Sequence, residues 1–194
     1  MDLAHRVDQS SSDRHILGLG LLLNRARNDP IWKNIRTALV PILGDSVEVY
    51  FPETWSQKYL SWYREIEQSA FRLSLRYSSE EIDERLENEA VLMMFILNGN
   101  TPEGLVLGYR LDDTTDDIFY LDTIAVKQKG RGLGKNILKV LFDWARKMGF
   151  SSIQLDTEYE NETGVQLSNF YQKLGFNVIN TDEETGNITM RLKL

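Results

Sequence analysis

Apolar positions recur along this chain at two spacings, near every third or fourth residue and near every second, and their order predicts the architecture. Residues 1–14 are polar and lead into a short unbroken apolar run at 16–23. Asp29-Pro30 reads as an N-cap followed by proline at the first helical position. Behind it Trp32, Ile35, Leu39 and Ile42 recur at helical spacing, and Pro41 and Gly44 are expected to end that helix. Residues 47–51 alternate like a strand that Pro52 stops. Trp55, Tyr59, Trp62, Ile66 and Ala70 then mark one face of a second helix. After a less regular stretch at 71–77, Ser78 and Glu81 form a capping-box pattern that opens a helix carrying Ile82, Leu86 and Ala90. The apolar runs 91–97 and 105–111, separated by Asn98-Gly99-Asn100 and Pro102-Glu103-Gly104, read as an antiparallel hairpin. An acidic loop at 112–117 precedes a strand at 118–126. Then come a helix burying Ile137, Val140, Leu141, Trp144 and Met148, closed by Gly149, and a strand at 153–157. A helix from 165 to 173 ends at Gly175, and strands at 176–179 and 188–194 make a last hairpin around Gly186.

From residue 47 the order is therefore β-α-α-β-β-β-α-β-α-β-β. This predicts a mixed α/β (α+β) domain around one sheet, at 46–194, behind an N-terminal helical extension at 1–45. The extension's apolar face is expected to be buried: on the core, over a cleft or in a homodimer contact. The run at 16–23 is far shorter than the about 20 apolar residues a bilayer span needs, and it lacks the cleavage pattern of a signal peptide. It reads as a buried helix, with no membrane partner.

Composition narrows the chemistry. The 194 residues carry a net charge of -7, which argues against a nucleic-acid partner and favours cationic or amine ligands. The chain contains no cysteine, so disulfides, zinc thiolates and cysteine nucleophiles are excluded. That fits a reducing, cytoplasmic setting. Its two histidines both lie near the N-terminus, which argues against a His-based metal site or a catalytic triad. No metal is expected.

One segment concentrates candidate chemistry. The strand 118–126 runs into Lys129-Gly130-Arg131-Gly132-Leu133-Gly134-Lys135, and a helical pattern starts at once. Strand, glycine turn and helix N-terminus together offer backbone N–H groups to a phosphate. Glycine lets the main chain approach a diphosphate and adopt positive φ. A Walker loop would need Ser or Thr after Gly134-Lys135, where Asn136 stands. A dinucleotide fingerprint needs a different third glycine spacing. A plain tight connector is the remaining alternative.

The hexapeptide 129–134 resembles motif A of the GNAT superfamily of N-acetyltransferases, Arg/Gln-x-x-Gly-x-Gly/Ala, with Lys129 in place of the leading Arg or Gln. Ile124-Ala125-Val126 before it is also similar to that family's strand. Asn169-Phe170-Tyr171-Gln172-Lys173-Leu174-Gly175-Phe176 resembles the family's motif B ending. The resemblance implies the family's acyl-CoA N-acyltransferase fold and acetyl-CoA as co-substrate, bound between splayed parallel strands. It implies that Ile124, Ala125 and Val126 pair with the pantetheine arm. Gly130, Arg131, Gly132, Leu133, Gly134 and Lys135 would hold the diphosphate, with Lys129, Arg131 or Lys135 adding charge. Tyr171 occupies the general-acid position, and the Val126 amide the oxyanion position. Asp122, two residues before Ile124 on one side of the strand, is a candidate for ordering a water that takes the amine proton; Asp156 and Glu158 are alternatives. The family's asparagine position corresponds to Gly164, a departure; counted from strand 153–157, Asn161 takes it.

The acceptor would be a primary amine of a protein N-terminus, a lysine or a small molecule, with Phe71 and Tyr77 lining its site. Neutralising a lysine amine at pH 7 costs about 4–5 kcal/mol, and an α-amine only about 1–1.5 kcal/mol. Ile-Ala-Val ahead of Arg-Gly-Leu-Gly is similar to N-terminal acetyltransferases of ribosomal-protein type, and a small-molecule enzyme stays equally open. A catalytically silent acyl-CoA-binding or regulatory module of the same fold is the alternative.

Overall fold

The computed structural model of the protein describes residues 27–88, 90–111, 116–160, 164 and 166–194. The apolar run at 16–23, Asn161 and residues 112–115 of the acidic loop lie outside the described residues.

A 3-10 turn, Pro30–Trp32, leads into α1 (Lys33–Leu43). The Asp29 carboxylate accepts from the Ile31 amide at 3.0 Å and caps the turn. Pro41 lies inside the last turn of α1 instead of ending it, and the helix stops at Gly44, whose φ is 94°. Trp32, Ile35, Leu39 and Leu43 are buried, and the Trp32 ring packs on Phe51 and Trp144 at 5.5 and 5.6 Å. The described part of the extension is thus built into the same core as the rest of the chain.

β1 (Val47–Tyr50) is followed by α2 (Gln57–Ala70), a 3-10 turn at Leu73–Leu75 and α3 (Ser79–Leu86). The Ser78–Glu81 capping box forms with both reciprocal hydrogen bonds. On α2 the buried face is rotated from the expected one. Tyr63, Ile66, Glu67 and Ala70 face the sheet, while Trp62 joins a half-buried aromatic cluster with Tyr50, Tyr59 and Phe95.

β2 (Val91–Asn98), β3 (Thr101–Arg110) and β4 (Ile118–Val126) form an antiparallel meander. Then follow α4 (Leu133–Lys147), β5 (Ser152–Glu158), α5 (Leu167–Gln172), β6 (Asn177–Thr181) and β7 (Asn187–Lys193). The sheet order is β1-β2-β3-β4-β5-β7-β6, with β7 inserted between β5 and β6. Residues 91–97 of β2 are all buried, as a continuous apolar run requires when both faces of a strand are covered.

Two features of this sheet shape a cleft. Among the described residues β4 and β5 are the only parallel neighbours, and they pair just at Ile118↔Ser152, Phe119↔Ile153 and Tyr120↔Gln154. Beyond that register β4 continues to Val126 and β5 to Glu158, and the strands part. On the other side of β4, Leu107 pairs with Thr123 and Gly108 with Leu121, so Asp122 is the extra residue of a β-bulge. Gly108 is required there, because a Cβ would stand 2.4 Å from the Phe119 ring and 2.6 Å from the Tyr120 carbonyl oxygen.

Candidate active site

The cleft between the parted strands has a volume of about 930 Å³. Its floor on one side is the end of β4, where Ile124, Ala125 and Val126 present toward the gap the backbone groups that β3 does not use. At its far end the chain turns into α4. Gly130 and Gly132 have φ of 78° and 84°, which only glycine adopts cheaply, and Gly132 is the N-cap. The first hydrogen bond of the helix runs from the Asn136 amide to the Gly132 carbonyl at 3.0 Å. The amides of Leu133, Gly134 and Lys135 therefore have no intrahelical acceptor, and all three residues line the cleft.

Gly134 is the most telling of these residues. Its φ is not positive, and a Cβ there would meet no heavy atom within 4 Å. Glycine costs about 1 kcal/mol relative to alanine within a helix. Neither the backbone nor any neighbour demands it, so the glycine leaves open space beside three unsatisfied amides. A diphosphate fits that cradle.

The nearby cations divide. Lys129 Nζ donates to the Ala70 carbonyl at 2.7 Å, at the C-terminus of α2. Arg131 donates to the Ile42 carbonyl at 2.8 Å, near the C-terminus of α1, and to Gln128. Both cations sit where helix carbonyls carry partial negative charge. Lys129 still lines the cleft, as does Lys135; the Arg131 guanidinium does not, so Arg131 ties the loop to α1.

Tyr171 comes from α5. It is half-buried, lies against the rings of Phe170 and Phe176 at 5.1 and 5.6 Å, and lines the cleft. Burial pushes its phenol up to about 12, so it is protonated at neutral pH.

Four carboxylates line the opposite part of the cleft: Glu67, Asp122, Asp156 and Glu158. Three are paired with arginine. Glu67 accepts from Arg64 at 2.8 Å and from the Tyr77 amide at 2.8 Å. Asp122, with its side chain 2 % exposed, accepts from Arg85 at 3.0 Å, Tyr109 at 3.1 Å and Thr123 at 2.8 Å. The Arg85 guanidinium also lies 3.7 Å over the Tyr77 ring. Glu158 makes a two-pronged ion pair with Arg72. Asp156 differs: it accepts from the hydroxyls of Tyr120 at 2.8 Å and Thr189 at 2.6 Å, and no cation among the described residues pairs with it.

The fold thus brings Ile124, Ala125, Val126, Gly130, Gly132, Leu133, Gly134, Lys135, Asp122, Tyr171, Phe71 and Tyr77 to one cleft. Glu67 and the arginines 64, 72 and 85 were not foreseen. Glu67 carried a signal, since it falls one turn from Tyr63 and beside Ile66 on an otherwise apolar face. Arg64 carried one too, three residues before Glu67 on the same helix, whereas Arg85 and Arg72 carried none, lying 37 and 86 residues from their partners.

No curated protein sequence matches the chain. Among solved structures, the chain is similar to the ribosomal-protein-S18-alanine N-acetyltransferase of Escherichia coli, at TM-score 0.59 and 20% identity, over 76% of this chain and 93% of that one. It is similar to the PaiA N-acetyltransferase of Thermoplasma acidophilum in complex with coenzyme A, at TM-score 0.56 and 19% identity, over 77% and 99%. Arabidopsis thaliana Naa50, bound to the bisubstrate analogue CoA-Ac-MVNAL, matches at TM-score 0.59 and 18% identity, again over 77% and 99%. At such identities these likenesses show the fold. A model of the Acetyltransferase (GNAT) family matches residues 53–176, which hold the parted strands, the glycine corner and Tyr171. The chain belongs to the GNAT family of acetyltransferases.

Proposed function

We propose that this protein moves an acetyl group from acetyl-CoA to a primary amine by direct attack of the amine on the thioester. The observation that carries this reading is Gly134: an unforced glycine in a helix, opening space beside three free amides at the end of a cleft between parted strands. The coenzyme A complex of the Thermoplasma protein and the CoA-peptide analogue on Arabidopsis Naa50 support it. Acetyl-CoA supplies the activated acetyl group and leaves as the coenzyme A thiol; everything else is the work of this chain.

The amides of residues 133–135, the α4 dipole and the Lys135 ammonium hold the diphosphate. Gly130 and Gly132 give the loop its shape, and Lys129 and Arg131 pin it to two helix ends. The free edge of Ile124, Ala125 and Val126 aligns the pantetheine arm, and the Val126 amide serves the developing oxyanion. Tyr171 donates to the departing sulfur. A free thiol titrates near 8.5 and this phenol near 12, so complete proton transfer is uphill and Tyr171 acts foremost as a hydrogen-bond donor.

For the amine proton, Asp156 is the carboxylate best suited to accept through a water. Glu67, Asp122 and Glu158 are each already engaged by an arginine. Asp156 faces only neutral hydroxyls. Asp122 is a positioning residue that locks Arg85, Tyr109 and the β4 bulge beside the acceptor end, where Phe71 and Tyr77 line the wall.

Calorimetric titration with acetyl-CoA, followed by thiol release over a panel of N-terminal peptides, lysine peptides and small amines, tests this. Binding with amine-dependent thiol release is expected. An absence of binding overturns the reading, and binding with no turnover on any amine favours the silent module.

A further inference from the structure

Five large apolar side chains are exposed among the described residues: Leu73, Leu75, Tyr159, Val178 and Ile179. Three of them frame one place. Leu73 and Leu75 are 79 % and 40 % exposed and belong to the turn after α2, and Leu75 lines the cleft. Tyr159 is 57 % exposed and follows Glu158 at the end of β5. The Arg72–Glu158 ion pair joins the two segments across 86 residues of sequence, directly beside Leu73 on one side and Tyr159 on the other. The mouth of the acceptor end therefore has an apolar rim in two halves, held at a set spacing by a charge pair that cancels itself. The cleft lining also carries Glu67, Asp122 and Asp156. Apolar side chains left open to water at the edge of a cleft mark a surface that a ligand covers.

We propose, on the basis of the transferase reading above, that the acceptor is the N-terminal amine of a polypeptide whose first residues carry apolar side chains. The ammonium approaches Asp156, the cleft carboxylate that no arginine pairs, and the side chains that follow it spread over Leu73, Leu75 and Tyr159. The occupant is a chain and not a small amine because Leu73 and Tyr159 lie outside the cleft lining: a small amine would pass inside and leave both uncovered. An α-amine also suits a site whose best base is a carboxylate, since it is more easily deprotonated at pH 7 than a lysine amine.

The magnitude follows from area. A tenfold preference corresponds to about 1.4 kcal/mol, which about 55 Å² of apolar surface supplies at about 25 cal/mol per Å². Covering most of Leu73 and the open part of Tyr159 reaches that area.

The test compares kcat/KM for three acceptors at fixed acetyl-CoA: a peptide opening with two apolar residues, its counterpart opening with two serines, and a free small amine. Each is measured with the full chain and with the Leu73→Ser/Tyr159→Ser double variant, and coenzyme A affinity by calorimetry confirms that both are folded. The parent should prefer the apolar peptide by at least tenfold, with the small amine poorest, and the double variant should bring the two peptides within about twofold. Equal rates on both peptides in the parent, or a preference that survives in a double variant still binding coenzyme A, overturn the proposal. Faster turnover of the small amine than of either peptide overturns the polypeptide occupant. Failure of the parent to bind coenzyme A overturns the transferase reading and this proposal with it, and is distinguished from the other outcomes by the calorimetry alone.

Discussion

Gly134→Ala pulls stability and ligand affinity in opposite directions. Position 134 is the second residue of α4, its backbone is outside the left-handed region, and a Cβ there touches nothing within 4 Å. The ligand-free fold thus accepts alanine without strain. Alanine also narrows the freedom of the unfolded chain and favours the helix, by about 0.5–1 kcal/mol. In a domain of this size about 1 kcal/mol shifts the melting temperature by about 2–4 °C, so a rise of about 1–4 °C is expected. Affinity for coenzyme A falls. The added methyl stands on the open side of the amide cradle and holds the diphosphate away from at least one N–H. A hydrogen bond to a charged group is worth about 1.5–3 kcal/mol, so Kd rises about 10- to 100-fold. Scanning calorimetry of the ligand-free proteins and isothermal titration with coenzyme A read the two effects separately. A variant that melts higher and still binds coenzyme A as tightly as the parent would refute the claim that a ligand keeps this glycine. A variant that melts lower would refute the local geometry assigned to the corner.

Tyr171→Phe should lower kcat by about 10²-fold or more while leaving coenzyme A affinity within about threefold, as expected for a donor used in the transition state; an unchanged kcat removes Tyr171 from the chemistry. Asp156→Asn and Asp122→Asn should separate. The first lowers kcat and leaves urea unfolding nearly unmoved, because its partners are neutral hydroxyls. The second destabilises by about 3 kcal/mol, because it leaves Arg85 facing a neutral amide; exchanged phenotypes would exchange the roles. Alkaline stability reports the buried and half-buried phenols. Burial raises Tyr63, Tyr109, Tyr120 and Tyr171 above 10, the last to about 12. Below pH 10 the phenol is protonated in both folded and unfolded chains, and stability from this source is fully present. Above pH 10 the unfolded chain loses its protons first, so stability falls as pH rises toward 12, by up to about 1.4 kcal/mol per pH unit for each phenol. Urea midpoints between pH 8.5 and 11 should be level and then decline; a level course throughout would show that these phenols are open to solvent.

Local signals were read well from sequence because each is carried by neighbours in the chain. The Asp29 cap, the Ser78–Glu81 box, Gly149 after α4 and the glycines of the corner act within a few residues of themselves. The order of elements from residue 47 agrees with the fold for the same reason. Boundaries shifted where tertiary contacts decided them. Trp62 was expected in the core, yet Tyr63 took that place, because Trp62 could pack edge-on against Tyr50 and Phe95.

By itself, then, the sequence determined the run of strands and helices, the glycine-lined helix start and the tyrosine of the helix before Gly175. These depend on spacing and on backbone preference, which act at short range. The tertiary structure decided which cleft carboxylates face an arginine and which faces only hydroxyls. It paired Arg85 with Asp122 and Arg72 with Glu158, left Asp156 to two hydroxyls, and turned Arg131 away from the cleft onto α1. Electrostatic partnership is a matter of distance in space. The chain brings residues 37 and 86 positions apart within reach only when β4 bulges and β5 diverges from it, and nothing in the spacing of the residues records that meeting.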